Sequence, residues 1–312
     1  MTKITAADGT PAAPFCFGTM QFGAGSTESQ SQQVFEACRA AGINFFDSAW
    51  VYTNGASETI LGELAKSERE KLILTSKGGY TGSASRENLT AQLDESLTRL
   101  QTDYIDIYFM HRFDDDVPLQ ETFDALTSFQ QAGKIRQIGV SNYAAWQVMK
   151  AQGVAAQSGT RIDVIQPMYS LVKRQAEVEL FPMCLSEGIA VTPYSPLGGG
   201  LLTGKYNRAE QATGRLSTDD RYAARYAPAQ MHETAGALAQ MAADQGVDPA
   251  TLAVAFVAAN PAVTAPIISA RTVEQLRPSL AALTLPLSSE AYSTISALSP
   301  KPAPATDRLE EG

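Results

Sequence analysis

The chain has few of the residues that build metal sites and disulfide frameworks. It contains 3 Cys and 2 His in 312 residues. Cys16, Cys38 and Cys184 lie far apart and form no CxxC pair, so we expect buried free thiols and no metal site. The sequence also lacks the GxSxG motif of a nucleophile elbow, which argues against hydrolysis by an activated serine.

Positive charge and long apolar runs are also scarce. The chain has 24 Lys and Arg against 33 Asp and Glu, a net charge of −9, which argues against nucleic acid or an anionic membrane as a partner. No segment approaches the roughly 20 apolar residues of a membrane span. The first residues, MTKITAADGTPAAPF, show no apolar region of a signal peptide. We therefore expect a cytoplasmic protein with a small-molecule partner.

Short apolar segments rich in Val, Ile, Phe and Tyr recur along the chain, and 44% of the residues are hydrophobic. Candidate strands begin near Ala13, Ile43, Lys71, Tyr104, Ile135, Ile162, Ile189 and Ala265. The first seven starts lie 27 to 33 residues apart, the length of one strand–helix unit, and the last gap is 76 residues. Amphipathic helices are predicted between them over Ser31–Ala41, Asn88–Leu100 and Leu119–Ala132.

Eight strand–helix units without a linker predict one parallel (β/α)8 barrel (a TIM barrel) over residues 1–312. The rival is an open doubly wound sheet, but the turn after its first strand, FGTMQFG at 17–23, does not match GxGxxG. The long last gap predicts an inserted segment at 197–230 that covers a cofactor or substrate. Residues 300–312 are predicted to be a flexible tail.

Ionisable or protic residues stand at the predicted carboxyl ends of successive strands, where barrel enzymes place their chemistry. They are Asp47 with Tyr52, Lys77 and His111. Taken singly, each has an ordinary alternative: a turn or cap for Asp47, a solvated strand end for Lys77, a structural histidine, and packing for Tyr52. Taken together, they are suited to one reaction.

The predicted reaction adds a proton to a carbonyl oxygen as a hydride reaches the carbon. A Lys77 ammonium beside the Tyr52 hydroxyl is expected to lower its pKa from about 10. Asp47 is expected to keep a buried Lys77 charged, and His111 to orient the carbonyl oxygen by a hydrogen bond.

The order of motifs resembles the aldo-keto reductase superfamily. The matching segments are FGTMQFG, FFDSAWVY, LTSKGG, FMHR, IGVSN, QPMYSL, TPYSPLGGGLLTGKY and PIISARTVEQL, which span residues 17 to 276. The long SPLGGGLLTGKY segment is more similar to the bacterial, general-stress and potassium-channel β-subunit branches than to the mammalian aldose reductases.

The resemblance implies that Asp47, Tyr52, Lys77 and His111 form a catalytic tetrad, with Tyr52 as general acid and base. It also implies an NADPH or NADP+ cofactor lying across the barrel mouth. Its implied contacts are Gly18, Thr19, Met20, Ser141, Asn142, Gln166, Tyr194, Ser195, Leu197, Gly198, Gly200, Leu202, Lys205, Ser269, Arg271 and Gln275.

Within the implied cofactor set, Ser141, Asn142 and Gln166 would hold the nicotinamide carboxamide, and Tyr194 would stack on its ring. Ser269, Arg271 and Gln275 would meet the 2′-phosphate and the adenine. Two departures stand out: Arg277-Pro278-Ser279 replaces the acidic residue and Asn that often touch the adenine, and Ser48 stands where Thr is commoner. The first argues against the usual adenine contacts, whereas the second is expected to have little effect.

A substrate pocket is expected over the nicotinamide, where residues follow the first four strands. Its candidates are Phe22, Trp50, Tyr80, Arg112, Phe113, Arg221 and Arg225. The aromatic residues are suited to an apolar pocket wall, or else to packing at the barrel rim. The arginines are suited to an anionic or hydroxylated substrate, or else to a solvated surface. The expected activity is NADPH-dependent reduction of an aldehyde, or a ketone, such as an open-chain sugar or another small aldehyde. The alternative is a nucleotide-sensing partner of the channel β-subunit type. The sequence leaves the oligomeric state open.

Overall fold

The computed structural model describes residues 2–208, 213–308 and 310, and within them a parallel sheet forms the centre of the molecule. Its strands are β1 Cys16–Gly18, β2 Phe45–Asp47, β3 Ile73–Gly78, β4 Ile105–Met110, β5 Ile135–Ser141, β6 Val164–Gln166, β7 Ala190–Val191 and β8 Ile267–Ile268. They follow the order β7-β6-β5-β4-β3-β2-β1-β8. A parallel bridge between Tyr194 and Ile267 brings the chain after β7 against β8 and closes the sheet. The predicted (β/α)8 barrel is confirmed.

Helices connect the strands and form the outer layer. They are α1 Glu28–Ala40, α2 Ala56–Ala65, α3 Arg86–Leu100, α4 Leu119–Gln131, α5 Ala145–Gln157, α6 Leu180–Glu187, α7 Lys205–Arg208, α8 Arg215–Thr218, α9 Asp220–Arg225, α10 Ala229–Asp244, α11 Pro249–Ala259, α12 Val273–Ala281 and α13 Ser289–Ser296. Helix α1 begins before the predicted Ser31, because Thr27 and Gln30 form a capping box that satisfies the first N–H groups.

Alternation along the strands decides which side chains reach the inside of the barrel. Phe45, Ile73 and Ile107 belong to the buried cluster inside it. Strand residues two apart point to the same side. Asp47 therefore follows Phe45 into the barrel, and Lys77 follows Ile73. Both lie at the carboxyl ends of their strands.

The amino-terminal segment covers the opposite end of the barrel. Ile4 and Ala6 pack into the interior cluster, and Thr5 forms an antiparallel bridge with Pro11. The Arg136 side chain donates to the Thr5 carbonyl oxygen at 2.6 Å, beside the start of β5. The amino-terminal segment thus closes the amino end of the barrel. The carboxyl end remains available for a site.

The segment between β7 and β8 folds into short pieces over the barrel mouth. A 3-10 segment covers Gly198–Thr203, and α7, α8 and α9 follow before the longer α10. Residues 209–212 of the predicted 197–230 insert lie outside the described residues. The predicted tail at 300–312 also falls partly outside them, at 309, 311 and 312. Its described residues 301–308 have no regular secondary structure, and its flexibility stays a prediction.

The three cysteines are buried free thiols, as predicted. Burial raises the pKa of the Cys184 thiol to about 12 and raises those of Cys16 and Cys38 as well. Among the described residues, no helix combines the length and the apolar character that a membrane crossing requires.

Candidate active site

A buried ion pair forms the centre of the site. Lys77 Nζ donates to both carboxylate oxygens of Asp47 at 2.7 Å and to the Ser48 carbonyl oxygen at 2.6 Å. The Lys77 side chain has no exposed surface, and that of Asp47 is 5% exposed. A buried ammonium needs such a partner to stay charged. The geometry therefore supports the role expected of Asp47.

Two further donors hold the Asp47 carboxylate. Thr75 Oγ1 donates to Asp47 Oδ1 at 2.7 Å, and Gln166 Nε2 donates to the same oxygen at 2.8 Å. From the sequence, Gln166 was expected only at a cofactor amide. In the structure its amide nitrogen instead connects β6 to the ion pair across the barrel.

Tyr52 lies beside this pair at the start of a short 3-10 turn, Tyr52–Gly55. The centroid of its ring is 5.1 Å from Lys77 Nζ and 5.9 Å from the centroid of the His111 ring. The structure therefore brings all four predicted catalytic side chains together at the carboxyl end of the barrel.

The pKa of Tyr52 shifts in the direction opposite to the one expected. Burial raises it well above its ordinary value, and the Asp47 carboxylate raises it further. The expected net lowering of this pKa is therefore wrong, and Tyr52 is a protonated phenol, the form that an acid must have.

His111 is a buried, neutral imidazole. Burial lowers its pKa to about 3, and the charges of Lys77 and Arg112 act in the same direction. Its Nδ1 has no hydrogen-bond partner among the described residues. Tyr80 covers it, with ring centroids 4.8 Å apart. A neutral imidazole can donate one hydrogen bond to a carbonyl oxygen without bringing a second full charge.

This shift predicts a pH dependence of stability. The folded pKa of about 3 lies below the ordinary value of 6.5, so the unfolded chain binds the proton more tightly. The contribution of His111 is fully present above about pH 6.5 and is lost as the pH falls toward 3. We expect His111→Gln to remove this part of the acid destabilisation in urea unfolding series, and His232→Gln to keep it. A stability difference between wild type and His111→Gln that is constant from pH 7 to 4 would contradict the burial argument.

The residues expected near a nicotinamide form a hydrogen-bonded chain across β5, β6 and the end of β7. Tyr194 donates from its hydroxyl to Asn142 Oδ1 at 2.7 Å, and Asn142 Nδ2 donates to the His111 carbonyl oxygen at 2.9 Å. Ser141 Oγ donates to the Gln166 carbonyl oxygen at 2.9 Å. Asn142 and Ser195 adopt left-handed backbone conformations, which turn the chain at the barrel mouth.

The glycine-rich loop after β7 bends sharply and packs under the later part of the inserted segment. Gly198, Gly199 and Gly200 all have positive φ. A Cβ on Gly199 would come within 2.9 Å of the Tyr222 and Tyr226 rings, so the loop packs closely against α9 and the residue that follows it. Lys205 Nζ lies above the Tyr206 ring, 4.9 Å from its centroid.

Several residues implied as cofactor contacts are engaged inside the protein. Thr19 is buried and donates from Oγ1 to the Asp47 carbonyl oxygen. The Leu202 side chain is buried in the core, and the backbone N–H groups of Gly198, Gly200 and Leu202 donate to carbonyl oxygens within the loop. The Leu202 side chain therefore does not face the mouth. Gly18 is buried at the end of β1, whereas Met20 and Leu197 are half-buried.

A second polar group lies at the amino end of α12. Ser269, Arg271 and Gln275 are exposed there. Arg271 Nε donates to Gln21 Oε1 at 3.1 Å, and the Arg271 N–H donates to Gln275 Oε1 at 3.1 Å. A helix amino terminus next to an exposed guanidinium favours an anion such as a phosphate.

Two of the predicted substrate residues, Phe22 and Trp50, turn away from the site. Phe22 is 0% exposed and packs against Phe17 in the core, because the turn after β1 folds inward, so Phe22 forms no pocket wall. The Trp50 indole N–H donates to Glu95 at 2.6 Å, which directs this side chain toward α3. Phe113 packs at the rim against Tyr143 and Trp146.

The other predicted substrate residues lie around the mouth. Tyr80 is 43% exposed over His111, and the Arg112 guanidinium lies 5.6 Å from the centroid of the Tyr80 ring. Arg221 is exposed and paired with Asp219, and the Arg225 guanidinium lies 5.3 Å from the centroid of the Tyr222 ring.

Tyr222 and Arg215 were not among the site residues predicted from the sequence. Arg215 Nη1 donates to the Tyr222 hydroxyl at 3.2 Å. After burial and Asp47, these two residues are the next influences on the pKa of Tyr52, Tyr222 raising it and Arg215 lowering it. They therefore lie near the phenol. The one sequence signal for this proximity to Tyr52 is their position in an insert rich in Arg and Tyr.

A closed parallel barrel with a buried Lys–Asp pair, a tyrosine and a histidine at its carboxyl end defines a (β/α)8-barrel protein with titratable side chains at its mouth. The model of the aldo/keto reductase family matches residues 14–300, and the chain belongs to that family.

Similar proteins point to the same family and branch, which confirms both predictions. The chain is 37% identical to Protein tas of Escherichia coli, over 90% of this chain and 92% of that protein. It is 31% identical to a probable voltage-gated potassium channel subunit beta of Arabidopsis thaliana, over 85% and 87% of the two chains. It is 36% identical to the human aflatoxin B1 aldehyde reductase member 4, over 61% and 59%. Oxidoreductases are thus among the relatives of the chain.

Proposed function

We propose that the chain reduces an aldehyde, or less readily a ketone, to the alcohol with NADPH, and that Tyr52 is the proton donor. The observation that carries the proposal is the convergence of Tyr52, His111 and the Lys77–Asp47 pair within one buried cluster. A relative named for aldehyde reduction supports a carbonyl substrate.

The residues at the mouth fit a dinucleotide. The hydrogen-bonded chain of Ser141, Asn142 and Tyr194 offers amide and hydroxyl groups for a carboxamide. The exposed Arg271 at the start of α12 offers charge for a phosphate. The positive-φ glycines 198–200 follow Tyr194 in the chain, and a Cβ on Gly200 would lie 3.5 Å from Lys205 Nζ, so this loop presents both backbone and a cation. A bound NADPH would supply the hydride that reaches the carbonyl carbon.

The protein's own groups would then handle the carbonyl oxygen. Tyr52 is held protonated by burial and the Asp47 charge, so it can donate its proton to this oxygen. His111 is neutral and can donate a hydrogen bond to the same oxygen. The Lys77 ammonium, 5.1 Å from the centroid of the Tyr52 ring, is placed to stabilise the phenolate that remains. The test is steady-state NADPH oxidation with a panel of small aldehydes, which should show saturable turnover that depends on Tyr52.

Arg271 is proposed to select NADPH over NADH. A charge-assisted hydrogen bond to phosphate contributes about 1.5–3 kcal/mol, so we expect Arg271→Ala to weaken NADPH binding about 10- to 100-fold and to leave NADH binding nearly unchanged. Fluorescence titration of both nucleotides measures this. Arg161→Ala, an exposed arginine before the amino end of β6, is the control and should alter neither. Equal losses for both nucleotides would show that Arg271 does not recognise the 2′-phosphate.

A second candidate function is nucleotide sensing as a subunit of a larger assembly. Similarity to the probable potassium channel subunit beta of Arabidopsis thaliana favours it. It predicts tight NADPH binding with slow turnover on every aldehyde tried. Rapid multiple turnover on any member of the panel would favour the reductase.

A further inference from the structure

Arg99 holds the segment that carries Tyr52, although it lies 47 positions further along the chain, in the last turn of α3. We call residues 50–55 the Tyr52 turn. Arg99 Nη1 donates to the Trp50 carbonyl oxygen at 3.0 Å, two residues before Tyr52. The guanidinium also lies 5.4 Å from the centroid of the Trp50 ring. It therefore contacts the start of the turn through both backbone and side chain.

The same guanidinium packs against the end of the turn at Gly55. A Cβ built on Gly55 would lie 2.5 Å from Arg99 Cζ and 2.6 Å from Nε, so only glycine leaves room for it. Gly55 also has φ +92°, and the two residues before it, Thr53 and Asn54, have φ 49° and 53°. Non-glycine residues in this conformation persist where their surroundings hold them.

Two carboxylates fix the guanidinium in this position. Arg99 Nη1 lies 3.2 Å from Glu58 Oε2, and Nη2 lies 2.5 Å from Glu95 Oε1. Glu58 is fully buried and accepts a hydrogen bond from Ser76, the residue before Lys77 in β3. The planar fork of an arginine suits several acceptors in fixed directions, which a lysine does not match.

We propose that Arg99 is a positioning residue: it sets the place of the Tyr52 hydroxyl relative to Lys77 and His111 by holding both ends of the Tyr52 turn. This rests on the proposed function, in which Tyr52 donates the proton. Proton and hydride transfer depend on sub-ångström placement, and a displacement of about 1 Å can cost 10²-fold in rate.

The first test is Arg99→Lys with Arg39→Lys as its matched control. Arg39 also joins a glutamate, Glu68, at 2.8 and 2.9 Å and a backbone carbonyl, that of Ile43, at 2.8 Å. It lies near the amino end of β2, away from the site. We expect Arg99→Lys to lower kcat about 10- to 100-fold, with KM for the aldehyde and Kd for NADPH within about twofold, and Arg39→Lys to leave all three unchanged.

Two further measurements separate positioning from general destabilisation. In the protein alone, amide hydrogen exchange over residues 48–58 should be faster in Arg99→Lys and unchanged in Arg39→Lys. In a Tyr52→Phe background, Arg99→Lys should change the residual turnover less than twofold, because its effect passes through Tyr52. An additive loss in that background, or unaltered exchange over 48–58, overturns the proposal.

A second pair of variants applies if Arg99→Lys folds poorly. Gly55→Ala forces the guanidinium away, whereas Gly42→Ala places alanine at a similar φ of +83° with nothing within 4 Å. Lower kcat in Gly55→Ala alone supports the proposal, and equal kcat in both overturns it. Failure of the proposed function gives a different pattern: Tyr52→Phe itself would then retain turnover.

Discussion

Replacing Tyr52 with phenylalanine is expected to lower kcat for aldehyde reduction by about 10²- to 10⁴-fold, the usual contribution of a general acid. The change removes one oxygen from a ring that stays packed beside Lys77 and His111. The site keeps its shape, so the Kd for NADPH should stay within about twofold. Single-turnover and steady-state NADPH oxidation, with fluorescence titration for binding, measure both quantities.

Tyr104→Phe is the matched control for this result. Tyr104 lies just before β4, at the amino end of the barrel, and its buried hydroxyl has no hydrogen-bond partner among the described residues. Its removal should leave kcat and binding unchanged. Near-normal turnover in Tyr52→Phe would falsify the assignment of Tyr52 as the acid, whatever the residue's other contacts.

Replacing Lys77 with methionine is expected to cost both stability and turnover. The substitution leaves Asp47 as an uncompensated buried charge, and breaking a buried pair in this way costs about 3–5 kcal/mol of the free energy of unfolding. Urea unfolding at pH 7 measures the loss. Turnover should be lost as well, because no cation remains beside the Tyr52 phenol.

The double variant Lys77→Met with Asp47→Asn separates the two effects. Removing the second charge should restore much of the free energy of unfolding, because Thr75 and Gln166 can still donate to the amide oxygen of the introduced asparagine. It should not restore turnover. Lys134→Met is the control, since its 2.6 Å pair with Asp94 is exposed and contributes about 1 kcal/mol or less. A loss in Lys77→Met no larger than in Lys134→Met would contradict the buried-pair argument.

The structure confirms the barrel that the pattern of strand and helix units predicted. Each unit is about 30 residues long, and alternation along a strand is a local property of the sequence. Strand ends could therefore be located closely enough to select Asp47, Lys77 and His111. Tyr52 was selected with them because it follows Asp47, the last residue of β2, by five residues.

The remaining features depend on distances between segments far apart in the chain. Gln166 contacts Asp47 across 119 residues, and Arg99 reaches Trp50 across 49. Neither contact leaves a periodic signal in the sequence. Tyr222 and Arg215 lie near the phenol only because the inserted segment folds back over the barrel mouth.

The amino-acid sequence by itself determined the barrel, its order of strands and the side chains at their carboxyl ends, because these follow from local periodicity and chain length. Tertiary structure alone decided that Phe22 is buried and that Trp50 turns toward Glu95. It also decided that the pKa of Tyr52 rises rather than falls. Burial and the pairing of charges depend on neighbours that come from distant parts of the chain. The sequence of a single segment therefore does not determine them.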